Sequence, residues 1–301
     1  MYIIDGHCDS VIPTAERGRP LFGRHNVSAL HGQLQCVALF CDRAGESEAA
    51  CFARAERYLT AAQAAFAAEG VLPVYDRDGC ERAVRGGRRA ALLSTEGGMA
   101  LAPDGAASRL YGRGVRIAGL AWESGPLACS TRLPEGAPDT GLMARGRAVL
   151  EEGNALGLLW DVSHLSDAVC EQVLAAAAKA PCATHTNLRT VCPHRRNLTD
   201  EQARALFARG GVMGLNVYPP FLGDTADRLL AHIDRALALG GEEGIGFGFD
   251  IDGIDAYPAP LTDAASLHDA VIALLEAARL PAALIDKIVG GNWLRYLREN
   301  L

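Results

Sequence analysis

A chain of 301 residues, 49% apolar and 22% charged, is long enough for one large buried core. Its formal net charge of -7 disfavours nucleic acid and anionic membrane surfaces as partners, and the acidic residues are spread along the chain rather than gathered in one tail. No stretch offers the ~20 apolar residues a membrane span needs. The opening Met1-Tyr-Ile-Ile-Asp-Gly6 has no basic start or long apolar run, and the expectation is a soluble cytoplasmic protein. The nine cysteines are odd in number, scattered and without a C-x-x-C pair, and they read as reduced small hydrophobes.

In chain order, short apolar runs predict strands over residues 2–4, 34–40, 90–94, 116–121, 158–162, 182–184, 212–216 and 245–248. Between them, Ala-rich stretches predict helices over 47–69, 141–156, 167–179, 200–209, 225–239 and 267–279. Ser47, Asp167, Asp200 and Thr225 fall near helix starts, where short polar side chains satisfy free N–H groups. Eight strands with intervening helices point to an α/β fold, a (β/α)8 TIM barrel formed as one domain over residues 1–301. A doubly wound open sheet competes, but no G-x-G-x-x-G turn follows a strand. Residues 134–140, following the fourth strand, read as a candidate active-site loop.

A barrel of this kind places its chemistry at the C-terminal ends of the strands. The first run ends in His7-Cys-Asp9, and alternation in a strand puts residues i and i+2 on one face. The third ends in Ser94-Thr-Glu96-Gly-Gly98, the fifth in Asp161-Val-Ser-His164, the sixth in Ala183-Thr-His185-Thr and the eighth in Gly248-Phe-Asp250-Ile-Asp252-Gly253. His25, His31, His194, His232 and His268 do not follow strands. Taken singly, Glu96 reads equally as a capping carboxylate, and Asp250 and Asp252 as turn formers. Taken together, three histidines, one glutamate and two aspartates on one rim suit two divalent ions of borderline hardness. A carboxylate can give one oxygen to each ion, and Glu96 is the natural bridge. His7 and Asp9 then complete one position and His164 and His185 the other, with water filling what remains.

The ordered set resembles the renal, or membrane, dipeptidase family of amidohydrolase-like zinc barrels. The resemblance runs through His7-x-Asp9, Glu96-Gly-Gly, Asp161-Val-Ser-His164, Thr184-His185-Thr, Arg195-Arg-Asn197, Gly248-Phe-Asp250-Ile-Asp252-Gly253 and Gly290-Gly-Asn-Trp-Leu-Arg295. It implies two divalent ions, zinc favoured by the ligand set, held by His7, Asp9, Glu96, His164 and His185. It implies Asp250 as the proton-handling catalytic group and Arg196 as the binder of the substrate's terminal carboxylate, a fit of guanidinium to carboxylate. Tyr218 reads as a pocket residue or as core. Trp122 stands where mammalian members carry a histidine that contacts the substrate carbonyl; its indole is either one hydrogen-bond donor or a pocket wall. Glu123 is either an attractor of the substrate ammonium or a solvated loop residue. The implied activity is dipeptide hydrolysis by a bacterial-style cytoplasmic member. Alternative readings are a related amidohydrolase acting on an N-acyl-amino acid or a β-lactam, and a non-catalytic metal- or peptide-binding barrel. The expected partners are a small dipeptide substrate, no nucleic acid and no membrane, with a homodimer as a possible assembly.

Overall fold

The computed structural model describes residues 1–22, 32–43 and 45–301. His25 and His31, set aside above, lie outside the described residues. The strands are β1 (Tyr2–Cys8), β2 (Gly32–Phe40), β3 (Leu72–Pro73), β4 (Arg89–Glu96), β5 (Val115–Gly119), β6 (Leu159–Asp161), β7 (Cys182–Thr186), β8 (Val212–Leu215) and β9 (Ile245–Phe247). All pair in parallel, in the order β2-β1-β9-β8-β7-β6-β5-β4-β3, and β2 also pairs with β4. That last pairing, eight rungs from Gln33 against Arg89 to Phe40 against Glu96, closes eight strands into a barrel and leaves the two-residue β3 outside the ring. The predicted eight-strand α/β barrel is therefore the observed fold.

Ile4, Leu34, Cys36, Leu92, Ile117, Leu159, Cys182 and Val212 form one buried cluster. Side chains from seven strands meet in one cluster only inside the barrel. Trp293, Tyr296 and Leu297 join it from the final helix, Asn292–Asn300. Trp293 also donates its Nε1–H to the Phe247 carbonyl at 2.9 Å. The alternate strand positions, such as Ile3, Val37, Leu93, Ala118, Ala183 and Met213, join a second cluster with the surrounding helices.

Two strands break simple alternation. Between Asp5 and Cys8, β1 spends three residues where β2 spends two, from Gln35 to Val37. Between Ala183 and Thr186, β7 does the same against Met213 to Leu215 of β8. An extra residue re-phases the side chains that follow it. Ile4 therefore belongs to the inner cluster, Asp5 meets His268 of helix Leu267–Ala277 at 2.9 Å, and His7 returns to the interior. Gly6, Gly214 and Gly248 flank this region because a Cβ on any of them would lie 2.0–2.6 Å from the Thr184 carbonyl oxygen.

Most helices start and stop near their predicted ends, with different caps. Ser47 accepts from the Ala50 N–H, as expected. Ser166 and Thr199, not Asp167 and Asp200, cap the next two, and Thr199 forms a capping box with Gln202. Thr225 does not cap: its helix starts at Arg228, with Asp227 at the cap position. Helices Arg77–Arg85, Ala106–Gly112 and Asn292–Asn300 add to the predicted set. No helix among the described residues is long and apolar enough to cross a membrane.

Candidate metal centre

Each strand delivers its polar residue to the same end of the barrel. His7 and His185 lie within β1 and β7, Glu96 is the last residue of β4, and Asp9, His164 and Asp250 follow β1, β6 and β9. His164 Nε2 stands 2.8 Å and His185 Nε2 3.5 Å from Glu96 Oε1, while His7 Nε2 is 3.5 Å from Glu96 Oε2. Three trios, His7–Asp9–Glu96, Glu96–His164–His185 and His7–His185–Asp250, each bring one donor atom per residue within 4.8 Å of the others. Glu96 is shared by the first two, one through each side of its carboxylate.

These donors are buried and under-used. His7 Nε2, Asp9 Oδ1 and Glu96 Oε2 have no hydrogen-bond partner among the described residues. Burial and then the Glu96 charge push the Asp9 carboxyl well above the ordinary carboxylate range. Burial raises Asp250 to about 6, against the pull of the His7 charge. Burial also opposes ionisation of Glu96, yet the His7 charge and then a hydrogen bond from His164 hold it well below its usual value. His7 itself would be lowered by burial, but Glu96, Asp250 and Asp9 raise it to about 10. A dry cluster of carboxylates short of positive charge, with spare lone pairs on imidazole and carboxylate, fits divalent cations.

The surrounding contacts orient the set. Asn216 donates Nδ2–H to Asp250 Oδ2 at 3.2 Å and takes the Tyr218 N–H on Oδ1 at 2.6 Å. Gly253 lies so close that a Cβ there would sit 2.1 Å from Asp250 Oδ1 and 2.3 Å from Asp9 Oδ2. Asp42, after β2, accepts the N–H groups of Gly98, Met99 and Trp122 at 2.9–3.2 Å, fixing the turns after β4 and β5. Thr184 Oγ1 lies against His185 and His7, and Asp161 holds Thr184. The strand-end strings spelled out both of these residues, but nothing in their spacing marked them; Asn216 and Asp42 carried no sequence signal.

A cavity of about 770 Å³ opens over the centre. Asp9, Glu96, Trp122, His164, Arg196, Tyr218 and Asp250 all line it, so every candidate site residue except the fully buried His7 and His185 reaches it directly. Arg196 is 4% exposed, and its Nη2 donates to the His185 carbonyl at 2.9 Å. Its Nε and Nη1 find no acceptor among the described residues. Burial draws this arginine down to about 10, still cationic at neutral pH. Trp122 packs edge-on against Phe40 at 4.9 Å and carries the Arg132 guanidinium 4.2 Å from its ring centroid. Glu123 also lines the cavity and pairs with Arg132 at 2.8 Å. Residues 134–140 do not line the cavity; Asp139 instead accepts from Ser166 Oγ and the Ala168 N–H at the start of helix Asp167–Ala176.

A closed parallel barrel with a His/carboxylate cluster at its C-terminal rim defines the class: a (β/α)8 protein with a rim metal centre. The chain belongs to the membrane dipeptidase family, peptidase family M19, which it matches over residues 1–300. It is 36% identical over 174 residues to an uncharacterized protein in the pqqA 5' region of Klebsiella pneumoniae, covering 54% of this chain and 64% of that one. It is 29% identical over 224 residues to dipeptidase aclJ of Aspergillus oryzae, covering 71% and 52%. The chain spans 47–64% of the length of the curated relatives it matches. Among solved structures, it shares its fold with dipeptidase AC, a family M19 metallopeptidase, at a TM-score of 0.88 and 23% identity, covering 100% and 98% of the two chains. A Rhodobacter sphaeroides metallopeptidase liganded with a phosphinate mimic of L-Ala-D-Ala gives a TM-score of 0.88 at 22% identity, covering 100% and 99%.

Proposed function

We propose that this chain is a metallo-dipeptidase that hydrolyses dipeptides with two divalent ions, zinc by preference of its ligands. His7, Asp9 and Glu96 would hold one ion, and Glu96, His164 and His185 the other. Bound there, the ions supply Lewis-acid polarisation of the scissile carbonyl and a water acidic enough to ionise near neutral pH. The chain's own residues do the rest. Asp250, with Oδ2 held by Asn216, takes the proton of the attacking water and returns it to the leaving amine. Arg196 offers its two unspent N–H groups to the free carboxylate and so limits the length of substrate accepted. Trp122, Tyr218 and the cavity's other aromatic residues shield the reacting amide from bulk water.

The observation that carries this reading is the juxtaposition of the two Glu96-sharing trios with an orphaned, buried arginine in one cavity. The nine cysteines, all free and eight of them buried, support a reducing, cytoplasmic setting. The test is a panel of L,L- and L,D-dipeptides, their C-terminal amides and N-acyl-amino acids, offered to zinc-loaded protein. Dipeptides with a free carboxylate are expected to be cleaved, and their amides far more slowly. Cleavage confined to N-acyl-amino acids or β-lactams would move the substrate to another small amide. Tight binding of dipeptides without cleavage would leave a binding barrel.

A further inference from the structure

Thr184 sits between two of the metal-site histidines. Its Oγ1 lies 2.9 Å from His185 Nδ1 and 3.3 Å from His7 Nδ1. The same oxygen lies 2.5 Å from Asp161 Oδ2. Asp161 is 5% exposed, and its other oxygen already accepts the Ser163 and Thr184 N–H groups at 2.9 and 2.8 Å. A hydroxyl has one proton to give and two lone pairs to receive with. Asp161 takes that proton, so both lone pairs are left for N–H donors. Ser163 Oγ, the other hydroxyl nearby, is 3.5 Å away and accepts the His185 N–H.

Resting on the metallohydrolase reading above, we propose that Thr184, anchored by Asp161, is a positioning residue that fixes His7 and His185 with protons on Nδ1 and bare Nε2 atoms on the metal positions. One hydroxyl would thereby couple the two ions, since His7 belongs to one of the two Glu96-sharing trios and His185 to the other. The fold is built for this contact. Alternation from the inward Cys182 points Thr184 inward, the extra residue in β7 turns His185 in beside it, and the extra residue in β1 brings His7 round to meet it. The Thr184 backbone is clamped by the close approach of Gly6, Gly214 and Gly248 to its carbonyl.

The experiment compares Thr184→Val, which keeps the shape, with Thr184→Ser, which keeps the hydroxyl. The imidazole 15N spectrum of metal-free protein reads the proton position on His185, and chelator competition reads zinc affinity at each position. Wild type should show His185 protonated on Nδ1. The valine variant should lose that preference and bind both ions about ten- to a hundred-fold more weakly, and serine should restore both properties. An unchanged His185 spectrum in the valine variant, or equal loss with serine, would overturn the relay. Weakening at one position alone would overturn the coupling. A wild-type chain that binds no zinc would instead refute the metallohydrolase reading, with the ring spectrum still deciding the role of Thr184.

Discussion

Asp250 stands at φ 62° and His164 at φ 67°, left-handed conformations that non-glycine residues seldom adopt. At Asp250 the turn aims the carboxylate at His7, 3.8 Å away, and lets Asn216 hold its far oxygen. Asp250→Asn preserves this shape but removes the proposed acid–base group. The expected result is retained zinc with kcat lower by roughly 10²–10⁴, measured by metal content and turnover on one sample; near-full activity would remove Asp250 from proton transfer. Arg196→Ala deletes the buried fork. KM for dipeptides should rise roughly ten- to a hundred-fold, the equivalent of a charge-assisted hydrogen bond of about 1.5–3 kcal/mol. Cleavage of substrates without a free carboxylate should change little, and an equal effect on both kinds would place the arginine elsewhere. His232 makes a separate claim, about stability. It accepts the Leu188 N–H on Nδ1 and donates Nε2–H to the Leu222 carbonyl, tying the loops after β7 and β8 together. Burial lowers its pKa to about 4. Between about 6.5 and 4 the unfolded chain binds a proton that the folded chain refuses, so the contribution is whole above that window and lost as pH falls through it. The loss approaches roughly 3 kcal/mol near pH 4. Urea unfolding from pH 7 to 4.5 should show this slope, and His232→Gln should flatten it; identical slopes would deny His232 the role.

At the scale of elements, the eight barrel strands were legible because buried parallel strands read as short apolar runs bounded by polar ends. The ends mattered most: His7, Glu96, His164, His185 and Asp250 could each be picked out by standing after or at the close of such a run. The extra residues in β1 and β7 could not be, because they are defined by the partner strand and not by any local string. Alternation groups Asp5 with His7, whereas the structure sends Asp5 to His268 and His7 inward. The final helix, Asn292–Asn300, carries a weak sequence signal for a different reason. Trp293, Tyr296 and Leu297 mark one apolar face, but nine residues are too few for the period to stand out. That helix abuts the barrel interior, with Trp293 fully buried. Trp293→Ala should therefore cost about 3–5 kcal/mol in denaturant unfolding; a cost near zero would show that the helix is not part of the barrel core.

For the whole molecule, closure of the ring is what assembles the site. The pairing of Asp5 with Phe247 brings the first strand beside the last, and the Asp9 N–H bonds the Ile251 carbonyl at 2.8 Å. Residues 7 and 250 become neighbours only in a closed barrel, which is why the ligand set could be assembled from the sequence only after a fold had been assumed. The proposed metal requirement belongs to this complete assembly. The direct measurement is to strip the protein with a chelator, titrate zinc back and follow hydrolysis of dipeptides at each step. Activity is expected to be absent in the stripped protein and to reach its plateau at two equivalents. Turnover by the stripped protein, or none across a dipeptide library with both equivalents bound, would contradict a binuclear metallo-dipeptidase.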